Sequence, residues 1–179
     1  MNFCSHCGSP VIRKVPEGDH LPRHVCDHCG TIHYQNPKLV VGCVPEDGGR
    51  ILLCKRAIEP RRGYWTVPAG FMENGETLQQ AAERESHEEA LARVEIGSLL
   101  AIVHVLSAHQ VHVFFRARLA EPEFGVGPES LESKMVTEAE VPWEDLAFPS
   151  ITFTLRRFFA DRARRVEELH FTTFDYRTK

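Results

Sequence analysis

Residues 70–91 read GFMENGETLQQAAERESHEEAL, and the rest of the chain is organised around this stretch. Thr77 and Gln80 stand at capping-box spacing, which predicts a helix from Thr77 to Leu91. At ~100° per residue, Leu78, Ala81 and Ala82 mark its less polar stripe. Glu85, Glu88 and Glu89, at i, i+3 and i+4, fall on that same stripe. Gln80, Glu83, Arg84 and His87 lie on the opposite, already polar side. Like charges so placed repel by roughly 0.2–0.5 kcal/mol per pair even on an exposed helix. Geometry alone leaves two readings open: a solvated charged face, or a cation site whose hard carboxylate oxygens suit Mg2+ or Mn2+.

Outward from the helix, the pattern is that of strands. Lys38–Val44 and Arg50–Arg56 are β-rich runs joined by a hairpin signal at Asp47-Gly48-Gly49. Residues 65–68 are a short extended piece stopped by Pro68, and strands are expected at Ile96–Val105, His112–Leu119 and near Ser133–Val136. Pro149-Ser150 opens a second helix with Ile151, Leu155, Phe158 and Phe159 at i, i+4, i+7 and i+8. From Arg164 onward no period is evident, although Phe171, Phe174 and Tyr176 are available to dock on the body or on a second subunit.

Residues 1–36 have a different character. They hold Cys4, Cys7, Cys26 and Cys29, five of the ten histidines and few aliphatic residues, too little apolar surface for a core. The two Cys-x2-Cys pairs, each followed by glycine (Gly8, Gly30), suit knuckles that aim four thiolates at one structural Zn2+. Free or disulfide-bonded cysteines are the bland alternative. With the shell filled by sulfur, His6 and His28 read as solvated bystanders.

The whole chain has 179 residues and a net charge of −4, and residues 1–38 carry four basic residues against three acids. Neither is a nucleic-acid footprint, which needs a basic surface. The longest mostly apolar stretch, Leu99–Leu106, is interrupted by His104 and is too short for a membrane span. The opening MNFCSHCG has no basic or apolar leader region, so a cytoplasmic protein with reduced thiols is expected. Cys43 and Cys54 lie in apolar strand runs and read as small buried hydrophobes. Phe71 and Phe115 could stack on a base, but rings in strand-rich segments more often pack in a core; His104, His109 and His112 flank two strands where they could contact substrate, and they read as surface or core residues.

The pattern Gly70-x5-Glu76-x7-Arg84-Glu85-x2-Glu88-Glu89 resembles the Nudix box, the signature of the Nudix hydrolases, and Trp65-x-Val67-Pro68-x-Gly70 is similar to that family's lead-in. Ser86 stands at a usually aliphatic position, and Leu91 where the box normally has glycine. The resemblance implies an α/β chain: a zinc ribbon at 1–36, a Nudix-type α/β/α sandwich with a mixed sheet at 37–163, and a C-terminal tail at 164–179. It implies Mg2+ or Mn2+ on Glu85, Glu88 and Glu89 with the Gly70 carbonyl, and Arg84 orienting the carboxylates through Glu76. Glu89, Glu129 and Glu132 are candidate general bases, and Glu132 is favoured. A ribbon ahead of a Nudix domain is similar to two branches, the NADH pyrophosphatases and hydrolases of ADP-ribose and FAD. The Ser-Gln-Pro-Trp-Pro-Phe-Pro stretch of the first is absent after the box. Arg50–Arg56, Gly70–Thr77 and Val141–Phe148 resemble the second, which releases AMP. By the same resemblance a homodimer acting on a small dinucleotide-type substrate is expected, without nucleic acid or membrane partners. A non-catalytic ADP-ribose sensor is the alternative outside enzymes, but such domains usually lose box glutamates and this one keeps them.

Overall fold

In a computed structural model, which describes residues 1–175, the chain forms two compact units, Met1–Pro37 and a body that begins at Lys38. The first is a three-stranded antiparallel sheet of β1 (Ile12–Lys14), β2 (Arg23–Val25) and β3 (Ile32–His33). Only Cys4, Pro16, Val25 and Cys26 are buried in it. Two matching turns supply what the core lacks. Gly8 N donates to Cys4 O at 2.9 Å, and Gly30 N donates to Cys26 O at 2.8 Å, with φ of 74° at both glycines. The turns bring the four cysteine sulfurs within 4.8 Å of one another. Cys4–Cys29 and Cys7–Cys26 are 3.7 and 3.5 Å apart, close to the about 3.8 Å spacing of sulfurs around a tetrahedral zinc with 2.3 Å bonds. His6 and His28 are exposed, whereas His33 Nε2 lies 3.3 Å from Cys4 Sγ.

The body is an α/β/α sandwich. Its mixed sheet runs β10 (Ser130–Val136), β5 (Arg50–Arg56), β4 (Lys38–Asp47), β9 (Gln110–Leu119), β8 (Val94–Val105) and β11 (His170–Phe174). Alternation along the strands divides two cores. Val41, Cys43, Val113 and Phe115 face helix α1 (Leu78–Ala90) through Ala81 and Ala82. Val44, Val103 and Phe114 face helix α2 (Pro149–Arg164) through Ile151, Leu155, Phe158 and Phe159. Cys43 and Cys54 are fully enclosed, and burial pushes both thiols up to about 12.

The sheet opens between β4 and β5. These strands pair only beside their hairpin, at Glu46↔Ile51 and Asp47↔Arg50. Below that point β5 takes β6 (Trp65–Thr66) as its partner, and β4 takes β7 (Ala69–Phe71). The box therefore leaves the sheet at a split, with α1 lying across it.

Both departures in the box have physical solutions. Ser86 is buried, but its Oγ donates to Ala82 O at 2.8 Å and lies 3.2 Å from Cys43 Sγ. Leu91 does end α1 in the left-handed region, with φ 50° and ψ 23°, at a cost of about 1–2 kcal/mol. The last-turn carbonyls offset that cost. Leu91 N and Ala92 N bond His87 O and Ser86 O, while Gly125 N and Gly127 N reach Ala90 O and Glu89 O, each bond worth roughly 0.5–1.5 kcal/mol net.

The C-terminal segment is not a patternless tail. Residues 170–174 form β11, parallel to β8, with Phe174 packed against the α2-side core. Buried Asp161 of α2 anchors it, accepting from Arg116, from His170 Nε2 at 3.0 Å and from Glu168 N at 3.2 Å. Five residues with two outward side chains give too short a period to read from sequence. Tyr176 lies outside the described residues. Among the described residues, no helix is long and apolar enough to cross a membrane.

Replacing Cys26 by serine is expected to make residues 1–37 protease-sensitive while the body keeps its melting temperature. An intact N-terminal unit in that variant, read by limited proteolysis, contradicts the thiolate-held reading.

Candidate functional site

The site starts from a helix that buries carboxylates. Ala81, Ala82, Ser86 and Ala90 are small enough for α1 to settle closely on the sheet. That approach carries Glu85 and Glu89 inward, at 7% and 5% exposure, while Glu88 stays exposed. A side chain at residue 70 would meet the Glu85 carboxylate, so glycine there lets that carboxylate keep its place.

Arg84 organises the remainder. Its Nε and Nη2 grip Glu76 at 3.0 and 2.8 Å, and Nη1 donates to Glu85 at 2.7 Å and Glu88 at 2.9 Å. Nη2 also donates to Phe71 O at 3.0 Å. Five donors thus meet five acceptors, the full capacity of a guanidinium. The Arg84 hydrogen bonds push Glu76 down to about 2.

Glu89 is left short of partners. Its Oε2 and Ser130 Oγ are the buried side-chain polar atoms without a hydrogen bond among the described residues. Burial, then the charge of Glu85, pushes Glu89 up to about 8, although Arg56 opposes the shift. Burial raises Glu85 as well, against the pull of Arg84. Two buried carboxylates with one orphaned oxygen and a glycine-lined approach are the donor set a hard divalent cation requires.

These groups lie in a cleft of about 640 Å³, within the range of small-molecule sites. Gly70, Arg84, Glu85, Glu88 and Glu89 all line it. Glu132 does not: it sits exposed on β10 opposite Lys55, beyond a register shift. Glu129 lines the cleft instead. Its loop is clipped on both sides, Gly127 N to Glu89 O at 3.0 Å and Ala57 N to Glu129 O at 2.8 Å. Spacing along the chain cannot distinguish the two glutamates, because the bulge and the clips decide which one turns inward.

Sequence reasoning also missed Arg56, Gln110 and Ser150 in the cleft wall, where His112, left by the sequence as a surface or core residue that could contact substrate, stands too. His112 is buried, and burial pushes it down to about 4. Phe71 borders the cleft at 47% exposure, whereas Phe115 is core. No residue-level signal marks these positions, since strands far apart in sequence assemble them.

A mixed sheet between two helices, with a box helix presenting clustered carboxylates to a split in the sheet, defines a phosphoanhydride hydrolase site of the Nudix type. Comparisons agree. The Nudix N-terminal model matches residues 2–35 and the NUDIX domain model residues 36–161, and the chain belongs to the Nudix hydrolase family. A NUDIX hydrolase from Nitrosomonas europaea is 51% identical, with a TM-score of 0.95 over 98% of this chain and 99% of that one. An ADP-ribose pyrophosphatase from Streptococcus suis, at 22% identity and a TM-score of 0.58 over 78% of this chain and all of that one, shares the fold. The NAD-capped RNA hydrolase NudC of Salmonella typhi is 38% identical over 95 residues, 52% of this chain and 34% of the relative. The match thus spans about a third of that relative's length.

The Glu89 shift has a sign that can be checked. Between the ordinary 4.5 and about 8, the folded cation-free protein holds a proton that the unfolded chain has lost. This stabilisation is full below about 4.5 and is lost as pH rises through about 8. The melting temperature of chelator-treated protein should therefore fall over this window more steeply than that of Glu89→Gln, and Mg2+ should restore it at high pH. Parallel curves for the two proteins contradict the assignment. Arg84→Lys, which keeps the charge but loses the fork, should cut activity about 10–100-fold, as read by kcat with the fold intact by circular dichroism.

Proposed function

We propose that the chain hydrolyses the diphosphate of a nucleoside diphosphate linked to another moiety, ADP-ribose or FAD, with release of AMP. The observation that carries this reading is the pair of buried carboxylates, Glu85 and Glu89, that line a nucleotide-sized cleft together with Gly70, against which Glu85 is packed. Glu85, Glu88 and Glu89, with the Gly70 carbonyl, would hold Mg2+ or Mn2+, and the four cysteines a structural Zn2+. When bound, the divalent ion supplies charge neutralisation for the diphosphate and eases deprotonation of water.

The chain's own residues do the rest. Arg84 fixes Glu85 and Glu88 through the Glu76 clamp, so positioning costs little at the moment of reaction. Arg56 adds a cationic group to the cleft wall, and its charge acts on Glu89. Glu129 is the group we assign to take the proton from attacking water, in place of Glu132. Apolar side chains such as Val40, Ile58 and Phe148 line the same cleft.

The likeness to NudC over 95 residues favours NADH as the second reading. We further propose a homodimer acting on a small molecule in the cytoplasm, where reduced thiols can hold zinc. The near-balanced charge of residues 1–38 supports a small substrate over nucleic acid, and the full set of box glutamates supports catalysis over sensing.

AMP release should be compared for ADP-ribose, FAD, NADH and NAD-capped RNA, with Mg2+ and with EDTA. The proposal expects the highest kcat/KM on ADP-ribose or FAD and none with EDTA. Preference for NADH or capped RNA would replace the substrate assignment, and turnover of none would remove the enzymatic reading. Glu88→Gln and Glu89→Gln should each lower kcat by orders of magnitude. Glu129→Gln should lower it about 10²–10⁴-fold and Glu132→Gln less than about twofold. The reverse ranking of those last two would return the base to Glu132.

A further inference from the structure

The four cysteines of residues 1–37 are not equivalent. In each knuckle the first cysteine is buried and the second exposed, so that Cys4 and Cys26 lie inside while Cys7 and Cys29 face solvent. The inner sulfur of Cys4 is also covered by donors: His6 N at 3.4 Å and His33 Nε2 at 3.3 Å. A metal-bound thiolate has no proton and can only accept, so Nε2 carries the hydrogen of that second contact. The space beside the outer pair is open. Gly8 and Gly30 directly follow Cys7 and Cys29, and a Cβ built on either glycine would meet no atom within 4 Å.

The outer cysteines are at once nucleophiles and neighbours. A sulfur that coordinates a divalent ion is held as thiolate, the reactive form, and all four sulfurs lie within 4.8 Å of one another. Thr31 Oγ1, 3.1 Å from Cys29 Sγ, donates to the sulfur from one side and leaves the residue exposed. An accessible thiolate with a second one beside it is the arrangement that oxidation to a disulfide uses: one sulfur is oxidised and the other resolves it. Spacing along the chain points instead to a disulfide within each Cys-x2-Cys knuckle, but either of those needs a buried sulfur.

We propose that Cys7 and Cys29 form an oxidation site for hydroperoxides and close a disulfide between the two knuckles. One outer thiolate attacks the distal peroxide oxygen, the O–O bond breaks, and the leaving oxygen takes a proton from solvent. The other outer thiolate then attacks the sulfenic sulfur, the S–O bond breaks and hydroxide leaves. Two electrons thus pass from the two sulfurs to the peroxide, which is reduced to an alcohol, or to water in the case of hydrogen peroxide. Two thiolates remain, too few for a structural Zn2+ site, so the disulfide and the metal-holding fold exclude each other. Cys43 and Cys54, enclosed in the body, are spared. The inference rests on the Zn2+ reading of the four cysteines and is independent of the substrate.

The test uses the full reduced chain, with its zinc content measured first. Hydrogen peroxide is added stepwise, and released Zn2+ is followed with a chromogenic chelator against a peroxide-free control. Samples are blocked with N-ethylmaleimide and mapped by peptide mass spectrometry. At half release, the Cys7–Cys29 disulfide should be the main oxidised species, about one per Zn2+ lost, with Cys4, Cys26, Cys43 and Cys54 recovered as blocked thiols. A thiol reductant with added Zn2+ should restore the starting state. A main product that contains Cys4 or Cys26, or that is a single over-oxidised cysteine, overturns the proposal. So does Zn2+ retained with all four thiols intact in excess peroxide. Protein that holds no Zn2+ before oxidation overturns the Zn2+ reading instead.

Discussion

Burying two like charges one helical turn apart is the constraint around which the body is built. A desolvated carboxylate costs several kcal/mol even after relaxation, and the charge of Glu85 acts on Glu89. Arg84 compensates the first directly. The second keeps an oxygen with no partner and a proton affinity far above its ordinary value.

Several features serve that arrangement. The alanines of α1 let the helix approach the sheet, and Gly70 leaves room for the Glu85 carboxylate. The split between β4 and β5 opens the space into which the carboxylates point. Arg84 fixes three glutamates and a backbone carbonyl together, so the loop before the helix and the helix itself move as one piece. At the other end, the 125–127 loop satisfies the last turn where a left-handed leucine stands in place of glycine. The same loop then leads Glu129 into the cleft, tying the helix end to the cleft wall.

The parts legible in the sequence are those fixed by local rules. Helical spacing put Glu85, Glu88 and Glu89 on one side of the helix, the Thr77–Gln80 pair marked where it starts, and the paired cysteines stood out because few residues could otherwise hold that segment together. What could not be read depends on contacts distant in sequence. Glu129 and Glu132 differ by three positions, and only a bulge in β10 and two backbone clips separate cleft from solvent. His112 and Ser150 come from different elements 38 residues apart and meet only once α2 docks. Strand β11 depends on the Asp161 anchor for its place at the sheet edge, because its own alternation is too brief to mark it.

The central claim is that Glu85 and Glu89 are buried for a divalent cation, and direct uptake tests it most plainly. Metal-stripped protein should be titrated with Mn2+ and the free ion followed by electron paramagnetic resonance, without nucleotide and then with ADP-ribose. The account predicts saturable uptake by the wild type that a folded Glu85→Gln/Glu89→Gln variant loses. Equal uptake by both proteins, or none by the wild type even with nucleotide present, would contradict it.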